Sequence, residues 1–474
     1  MIKPSRVASP PSRRVWRWGA LAAGLAVTLV ACAGTTTTSS PATSASSSAS
    51  ASPPASGGTV AGTTGGSSAP GAAGASGTAC GWPTKADKAT QNVAYPDTAA
   101  TYWGTSYVLA PGERLELRGH YPDARYASFI TYGPTGGALG VLTDRDIQPD
   151  PGSTNPFLGG GPSGGRYTVT VTGSDQKAAN TISAAAPAGA PGTTAPTGTQ
   201  PDTTAPTVPA NRAVLLGTGT PGAAGVVGGT ILYRVYLSKT VGDPTGGAGL
   251  PDISVVHADG TRSEVPTCAN PGANPAATAI IEANGPETNT PAPAQPVFIR
   301  PKAGAANLYP NPDNVYVVTI LRHTPGKIVV VRGKAPTFPD TGKGVTITGT
   351  EQVRYWSLCT NEYRKPYPVS FCVADQDVAV ALDGTYTFVI STAADRPTDA
   401  TAANGITWLD WGDTSVDNLL LMRHMLAAPG FTESAINLAP GTLASTTMGP
   451  YAPAGVYCDA SAFAAGGVAA CPPV

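Results

Sequence analysis

Residues 95–119 (YPDTAATYWGTSYVLAPGERLELRG) align without a gap on residues 309–333 (YPNPDNVYVVTILRHTPGKIVVVRG). Tyr95-Pro96, Tyr102, Thr105, Pro111-Gly112 and Arg118-Gly119 recur as Tyr309-Pro310, Tyr316, Thr319, Pro325-Gly326 and Arg332-Gly333. The echo continues at changed spacing. Arg125-Tyr126-x-Ser128 returns as Arg354-Tyr355-x-Ser357, Asp144-x-Asp146 as Asp375-x-Asp377, and Gly165-x-Tyr167-Thr168 as Gly384-x-Tyr386-Thr387. A unit written twice has two cores to bury, so the pattern dictates two lobes. Residues kept in both copies are then first of all scaffold, and differences between copies are where function is sought.

Each copy reads as β. Strands are predicted at 101–109, 113–119, 125–132, 166–172, 211–216, 230–238 and 252–257, then at 315–323, 327–333, 353–359, 385–391 and 418–425. Tyr107 to Glu113 has the form of a strand, a Pro-Gly turn and a return strand. Lys85–Asn92 is expected to be a short helix capped by Thr84. Asp459 is expected to cap a helical turn over Ala460–Ala465. With 57 Gly and 47 Pro in 474 residues, and strands rich in Val, Tyr and Thr, a helical architecture is disfavoured. The expected fold is mainly β: two duplicated β-sandwich or jelly-roll-like lobes with few short helices, behind a disordered tether. The first lobe spans 80–268 with a low-complexity insertion at 183–209; a linker follows at 269–296, and the second lobe at 297–474 with its own insertion at 334–352.

The N-terminus reads as an export signal. Lys3, Arg6, Arg13, Arg14 and Arg17 precede an apolar run from Gly19 to Ala31, too short to span a bilayer as a helix. Leu29-Val30-Ala31-Cys32 resembles the lipobox of bacterial lipoproteins, which implies cleavage after residue 31 and a lipid on Cys32. Ser12-Arg13-Arg14-Val15-Trp16 loosely resembles a twin-arginine signal, so the export route stays open. Residues 32–79 carry no charge and consist of Ser, Thr, Ala, Gly and Pro with little else. They are expected to form a disordered tether with a root-mean-square span of about 35–40 Å. The expected location is the extracytoplasmic face of a bacterial cell membrane.

Without residues 1–31, with their five positive and no acidic residues, 24 Lys and Arg face 30 Asp and Glu, a net charge of −6. No basic stripe is left for nucleic acid or anionic lipid. Six cysteines remain beyond Cys32. In an exported chain they suggest disulfides, with Cys80–Cys268, Cys359–Cys372 and Cys458–Cys471 the preferred pairs among 15 connectivities. Zinc is disfavoured because there is no CxxC, and His120, His257, His323 and His424 are scattered.

The run Arg354-Tyr355-Trp356-Ser357, Asp383-Gly384-Thr385-Tyr386-Thr387, Trp408-Leu409 and Arg423 resembles the C-terminal half of a paired bacterial family of unknown function. Asp97–Tyr102, Arg125-Tyr126 and Ile231–Leu237 resemble its N-terminal half. The resemblance covers most of residues 90–430, implies a tandem β-sandwich and supplies no catalytic residue. The glycine-rich insertions and the cysteines depart from it.

Several strings imitate sites. Gly161-Pro162-Ser163-Gly164-Gly165 satisfies the hydrolase G-x-S-x-G pattern, but it precedes a strand and its counterpart is a plain turn at Leu382-Asp383-Gly384. Gly217-Thr218-Gly219-Thr220-Pro221-Gly222 satisfies G-x-G-x-x-G without the helix that a dinucleotide needs. Asp144, Asp146, Asp375 and Asp377 are calcium candidates; the competing reading is turn capping and pairing with arginines 118, 125, 332 and 354. Trp103, Trp356, Trp408 and Trp411 are candidates for stacking on sugar, against a reading in which Trp103, Thr105 and Tyr107 share a core-facing side. Trp408, Asp410, Trp411, Asp413 and Asp417 form the candidate ligand segment of the second lobe. The expected function is a binding or structural envelope module for a glycan or surface protein, its ligand in the cleft between lobes. The alternative is a secreted glycan or ester hydrolase using carboxylates such as Asp410 or Asp413.

Overall fold

Strands alternate their side chains between two faces, and the sequence of each copy supplies two kinds of strand. Some are apolar on one face; others, such as Asn418–Met425 (NLLLMRHM), are buried on both. The computed structural model describes residues 80–159, 161, 163–174, 178–185, 215–302 and 309–473. Expectations for the export signal, Cys32, the tether, residues 186–209 of the insertion and most of the strand at 211–216 lie outside the described residues.

The first lobe contains β1 (Thr84–Ala86), β2 (Ala100–Leu109), β3 (Arg114–His120), β4 (Ala124–Tyr132), β5 (Ala138–Thr143), β6 (Arg166–Thr172), β7 (Thr181–Ser183), β8 (Val227–Ser238), β9 (Asp252–Val256) and β10 (Arg262–Val265). They form two sheets of order β1-β2-β8-β4-β5 and β10-β9-β3-β6-β7. Helix α1 (Pro275–Asn284) lies between the lobes in sequence. The second lobe contains β11 (Asn314–Leu321), β12 (Lys327–Lys334), β13 (Tyr355–Glu362), β14 (Val369–Ala374), β15 (Thr385–Ser391), β16 (Thr407–Asp410), β17 (Asn418–Met425), β18 (Ala454–Asp459) and α2 (Ala460–Gly466). Its sheets run β11-β17-β13-β14 and β16-β15-β12-β18. Apart from the edge strands β1 and β10, the two strand orders are the same, down to the parallel pairings β6–β7 and β15–β16.

Each lobe closes over its own core. Trp103, Tyr107, Leu115, Phe129, Val169 and Tyr233 meet in the first; Val329, Trp356, Leu358, Phe388, Leu420 and Met422 meet in the second. Trp103, Thr105 and Tyr107 do share the buried side of β2. The duplicated Arg-Gly pair has a packing reason. Gly119 lies opposite Tyr167 and Gly333 opposite Tyr386. A Cβ at either glycine would come within 2.8 Å of Tyr167 Cζ or 2.7 Å of Tyr386 Cζ, inside any tolerable contact.

Local expectations are corrected at three places. Residues 85–92 are not helical. Thr84–Ala86 instead pairs with β2, while Gln91 and Asn92 bond to Asn274 and Val369, so tertiary pairing outweighs a weak helix propensity. The linker at 269–296 contains α1, with Asn274 as its cap and Pro275 at the first position. Helix α2 forms as expected, but Asp459 pairs with Lys327 at 2.7 Å rather than capping it. Three disulfides join Cys80 to Cys268, Cys359 to Cys372 and Cys458 to Cys471. They tie the ends of the first lobe, link facing positions of β13 and β14, and fasten the segment after α2 to β18.

Candidate functional site: the groove between the lobes

The lobes meet through one sheet each, β1-β2-β8-β4-β5 against β11-β17-β13-β14, and lie in one compact unit, 75–474. Alternation dictates which side chains meet. Ile231, Tyr233 and Val235 of β8 point into the core, leaving Leu232, Arg234 and Tyr236 on the outer face. In β17, Leu420 and Met422 point inward, leaving Leu421, Arg423 and Met425. Tyr126, Tyr236, Tyr355 and Met425 form a small apolar centre between the lobes.

Around it the duplicated ion pairs are exchanged, each arginine reaching the other lobe. Arg125 Nη1 donates to both carboxylate oxygens of Asp375, at 3.0 and 3.1 Å. Arg354 Nη1 donates to Asp144, at 3.1 and 3.4 Å. Each carboxylate also accepts a backbone N–H from its own lobe, Ala127 for Asp144 and Trp356 for Asp375. Arg125 packs on Phe338, Arg354 on Phe157. Burial pushes the Asp375 carboxyl up to about 7 against the pull of Arg125, and raises Asp144 against Arg354. Such reciprocity is the signature of an isologous contact, here between two halves of one chain. The 334–352 insertion reinforces it: Thr341 accepts from Arg125 Nε at 2.8 Å, and Ile347 joins the core of the first lobe.

Beside this seam the sheets part into a groove of about 980 Å³. Leu232, Arg234, Val318, Leu421 and Arg423 line it, with Ile281 of α1 and prolines of the linker on another side. Its walls are mainly apolar. Among the described lining residues four are cationic, Arg234, Arg300, Lys302 and Arg423, against one carboxylate, Glu287, which pairs with Lys365 at 2.8 Å.

Arg234 and Arg423 are counterparts, opposite Tyr102 and Tyr316 in register and opposite Ser128 and Ser357 on the other side. Arg234 donates to Tyr309 O at 2.9 Å, and Arg423 to Tyr95 O at 2.7 Å. There the likeness stops. Asp97 Oδ2 accepts from Arg423 Nη1 at 2.8 Å, from Ser357 at 2.8 Å and from Tyr355 at 2.9 Å. The gapless alignment puts Asn311 where the first copy has Asp97. Among the described residues no carboxylate lies within ion-pair distance of Arg234, and neither its Nη1 nor Ser128 Oγ has a hydrogen-bond partner. Arg234 is only 3% exposed and is held between the rings of Tyr102 and Tyr132, 5.2 and 5.3 Å from their centres.

The residues singled out by sequence are placed elsewhere. Trp411 is in the core of the second lobe, and Trp408 carries Arg396 on its ring. Asp410 accepts from Gly412 N, Asp413 pairs with Arg364 and Asp417 with Arg322, and none of them lines the groove. Trp103 and Trp356 are buried. The carboxylates of Asp144 and Asp375 are occupied by arginine, while Asp146 is exposed and paired weakly with Arg145. Asp377 ends the short turn that Asp375 begins. Ser163 sits in an exposed turn before β6, and Thr218 donates to Glu113 instead of cradling a phosphate. Burial opposes ionisation of Glu113, yet donors from Thr218, Ala110 and His257 hold it down to about 2. Sequence reasoning missed Arg234. Its signal was a lone arginine in an otherwise largely apolar central strand, ILYRVYL, matched by LLMRHML at 420–426.

No protein-family model matches the chain, and no curated protein matches it significantly. Among solved structures, an uncharacterised protein from Burkholderia cenocepacia is similar at 12% identity and a TM-score of 0.42, over 80% of this chain and 82% of that one. A protein from Vibrio parahaemolyticus is similar at 9% identity and a TM-score of 0.35, over 76% and 89%.

Proposed function

We propose that the chain is an extracytoplasmic envelope lipoprotein, held to the membrane by lipid on Cys32, whose paired lobes form a small-molecule binding module. The observation that carries the binding reading is the groove. Both lobes and the linker contribute to it, its size falls in the range of ligand sites, and it combines apolar walls with a few placed cations. The order of basic segment, apolar run and Leu29-Val30-Ala31-Cys32 supports the anchor. No described helix is long and apolar enough to cross a membrane.

The binding reading is tested by native mass spectrometry of the protein isolated from envelopes, beside a Val318→Trp variant that narrows the groove. A small molecule retained by the first and lost from the second is expected; equal spectra with nothing bound overturn the reading. Replacing Cys32 by serine is expected to move the protein from the membrane to the soluble fraction. Retention on the membrane would sink the anchor.

A further inference from the structure

We infer that the groove takes an apolar monocarboxylate, its head on Arg234 and its chain along the groove walls. The inference rests on the groove being the ligand site, and adds the chemistry of the ligand. The molecule itself displays the recognition. At Arg423 a guanidinium, a serine hydroxyl and a tyrosine hydroxyl converge on one carboxylate, that of Asp97. At the counterpart position the same three residue types recur as Arg234, Ser128 and Tyr126. Asn311 stands in place of the aspartate, its Nδ2 donating to the Tyr126 hydroxyl at 3.1 Å, while that hydroxyl donates to Asp313 at 2.7 Å.

A buried guanidinium with an unused donor is costly, because a desolvated charged donor loses its water without compensation. Arg234 Nη1 is such a donor, and Ser128, paired with Arg234 across neighbouring strands, has a neutral hydroxyl that is also without a partner among the described residues. One external carboxylate reaching Arg234 from the groove supplies the charge that Asn311 lacks. The cationic excess of the lining favours an anion over a neutral or cationic ligand. The apolar side chains of Leu232, Val318, Leu421 and Ile281 then favour a hydrocarbon body over a sugar or a peptide.

The test uses the whole mature chain from residue 32 with Cys32→Ser, so that no detergent competes. Calorimetry with decanoate, decanol and decyl phosphate reads the affinities of this protein and of its Arg234→Gln and Asn311→Asp variants. Decanoate is expected to bind about 10- to 100-fold more tightly than decanol, the range of one charge-assisted hydrogen bond. Arg234→Gln is expected to erase that preference. Asn311→Asp, nearly isosteric, is expected to do the same by giving Arg234 an internal carboxylate. Unchanged decanoate affinity in both variants overturns the assignment of the head group to Arg234. Tighter binding of decyl phosphate overturns the carboxylate in favour of a phosphate head. If neither decanoate nor decanol binds the parent chain, the groove itself is not the site, and the proposed function fails with it.

Discussion

Arg423 and Arg234 occupy the same place in two copies of one sandwich, and they differ in how their charge is met. Arg423 has Asp97, Ser357 and the carbonyl of Tyr95 around it; Arg234 has a carbonyl, two aromatic rings and a donor left over. Since the surrounding strands and register are shared, the fold alone does not account for the difference. A structural charge is matched within the protein, whereas a charge left unmatched at a groove is available to a ligand. The comparison predicts its largest effect at Asp97. Asp97→Ala strands a buried guanidinium and is expected to cost about 3–5 kcal/mol in denaturant unfolding. Asn311→Ala, at the counterpart position, is expected to cost much less. Equal losses would mean that the two sites do not differ in kind.

The next position along the same strands offers a second contrast. Val235 follows Arg234, and His424 follows Arg423. His424 is buried, and among the described residues neither ring nitrogen has a hydrogen-bond partner; burial lowers its pKa from 6.5 to about 4. The unfolded chain therefore takes up a proton that the folded chain refuses. The contribution is whole above pH 6.5 and is lost as pH falls from there to about 4, about 3 kcal/mol at 1.36 kcal/mol per pH unit. Asp375, raised to about 7, acts with the opposite sign, its contribution declining as pH rises through that value. The difference between parent and His424→Val profiles isolates the histidine. It is expected to vanish in slope above pH 7 and to grow steadily below pH 6. Parallel profiles from pH 7 to pH 4 would show that His424 is not held neutral.

Asn311→Asp, which would make the two arginine sites alike, is expected to stabilise the ligand-free protein by about 1.5–3 kcal/mol, the worth of a hydrogen bond to a charged group. A fall in melting temperature would mean that Asn311 does not stand where Asp97 stands. Calorimetric melting of the two proteins without added ligand is sufficient.

The copies were legible from the sequence because turns and glycine contacts are local. Pro-Gly turns, the Gly-x-Tyr-Thr hairpin and the β-branched runs place β2, β3, β4, β6, β8, β9, β11, β12, β13, β15 and β17 within a few residues, and the duplicated motifs identify equivalent ones, whereas β5, β14, β16 and β18 were not expected. The exchange of Arg125 and Arg354 between lobes was not legible, since nothing in a repeat says whether its ion pairs close within a copy or across copies. Arg234 was missed for a related reason. It lies outside the gapless segment, behind an insertion, so the likeness of the two strand sequences became a pairing of Arg234 with Arg423 through the register of β8 against β2 and of β17 against β11. Edge strands such as β7 and β10 are short and polar, and their pairing is decided by the neighbour rather than by their own pattern.

The smallest effect tests the equivalence of the copies themselves. Gly119 and Gly333 each lie beneath a tyrosine ring on the adjacent strand, and neither has the positive φ that would make alanine a backbone problem. Gly119→Ala and Gly333→Ala therefore introduce only a steric clash, costing about 1–3 kcal/mol as the ring is displaced. Because Tyr167 and Tyr386 are both buried, with hydroxyls that find no partner among the described residues, displacement takes no hydrogen bond away. The two losses should agree to within about 0.5 kcal/mol and should add in the double variant, since the sites lie in separate cores. Truncating the ring as well, in Gly119→Ala with Tyr167→Leu, should recover part of the clash, leaving a cycle that is not additive. A loss confined to one lobe would show that the duplicated Arg-Gly pair serves packing in that copy alone.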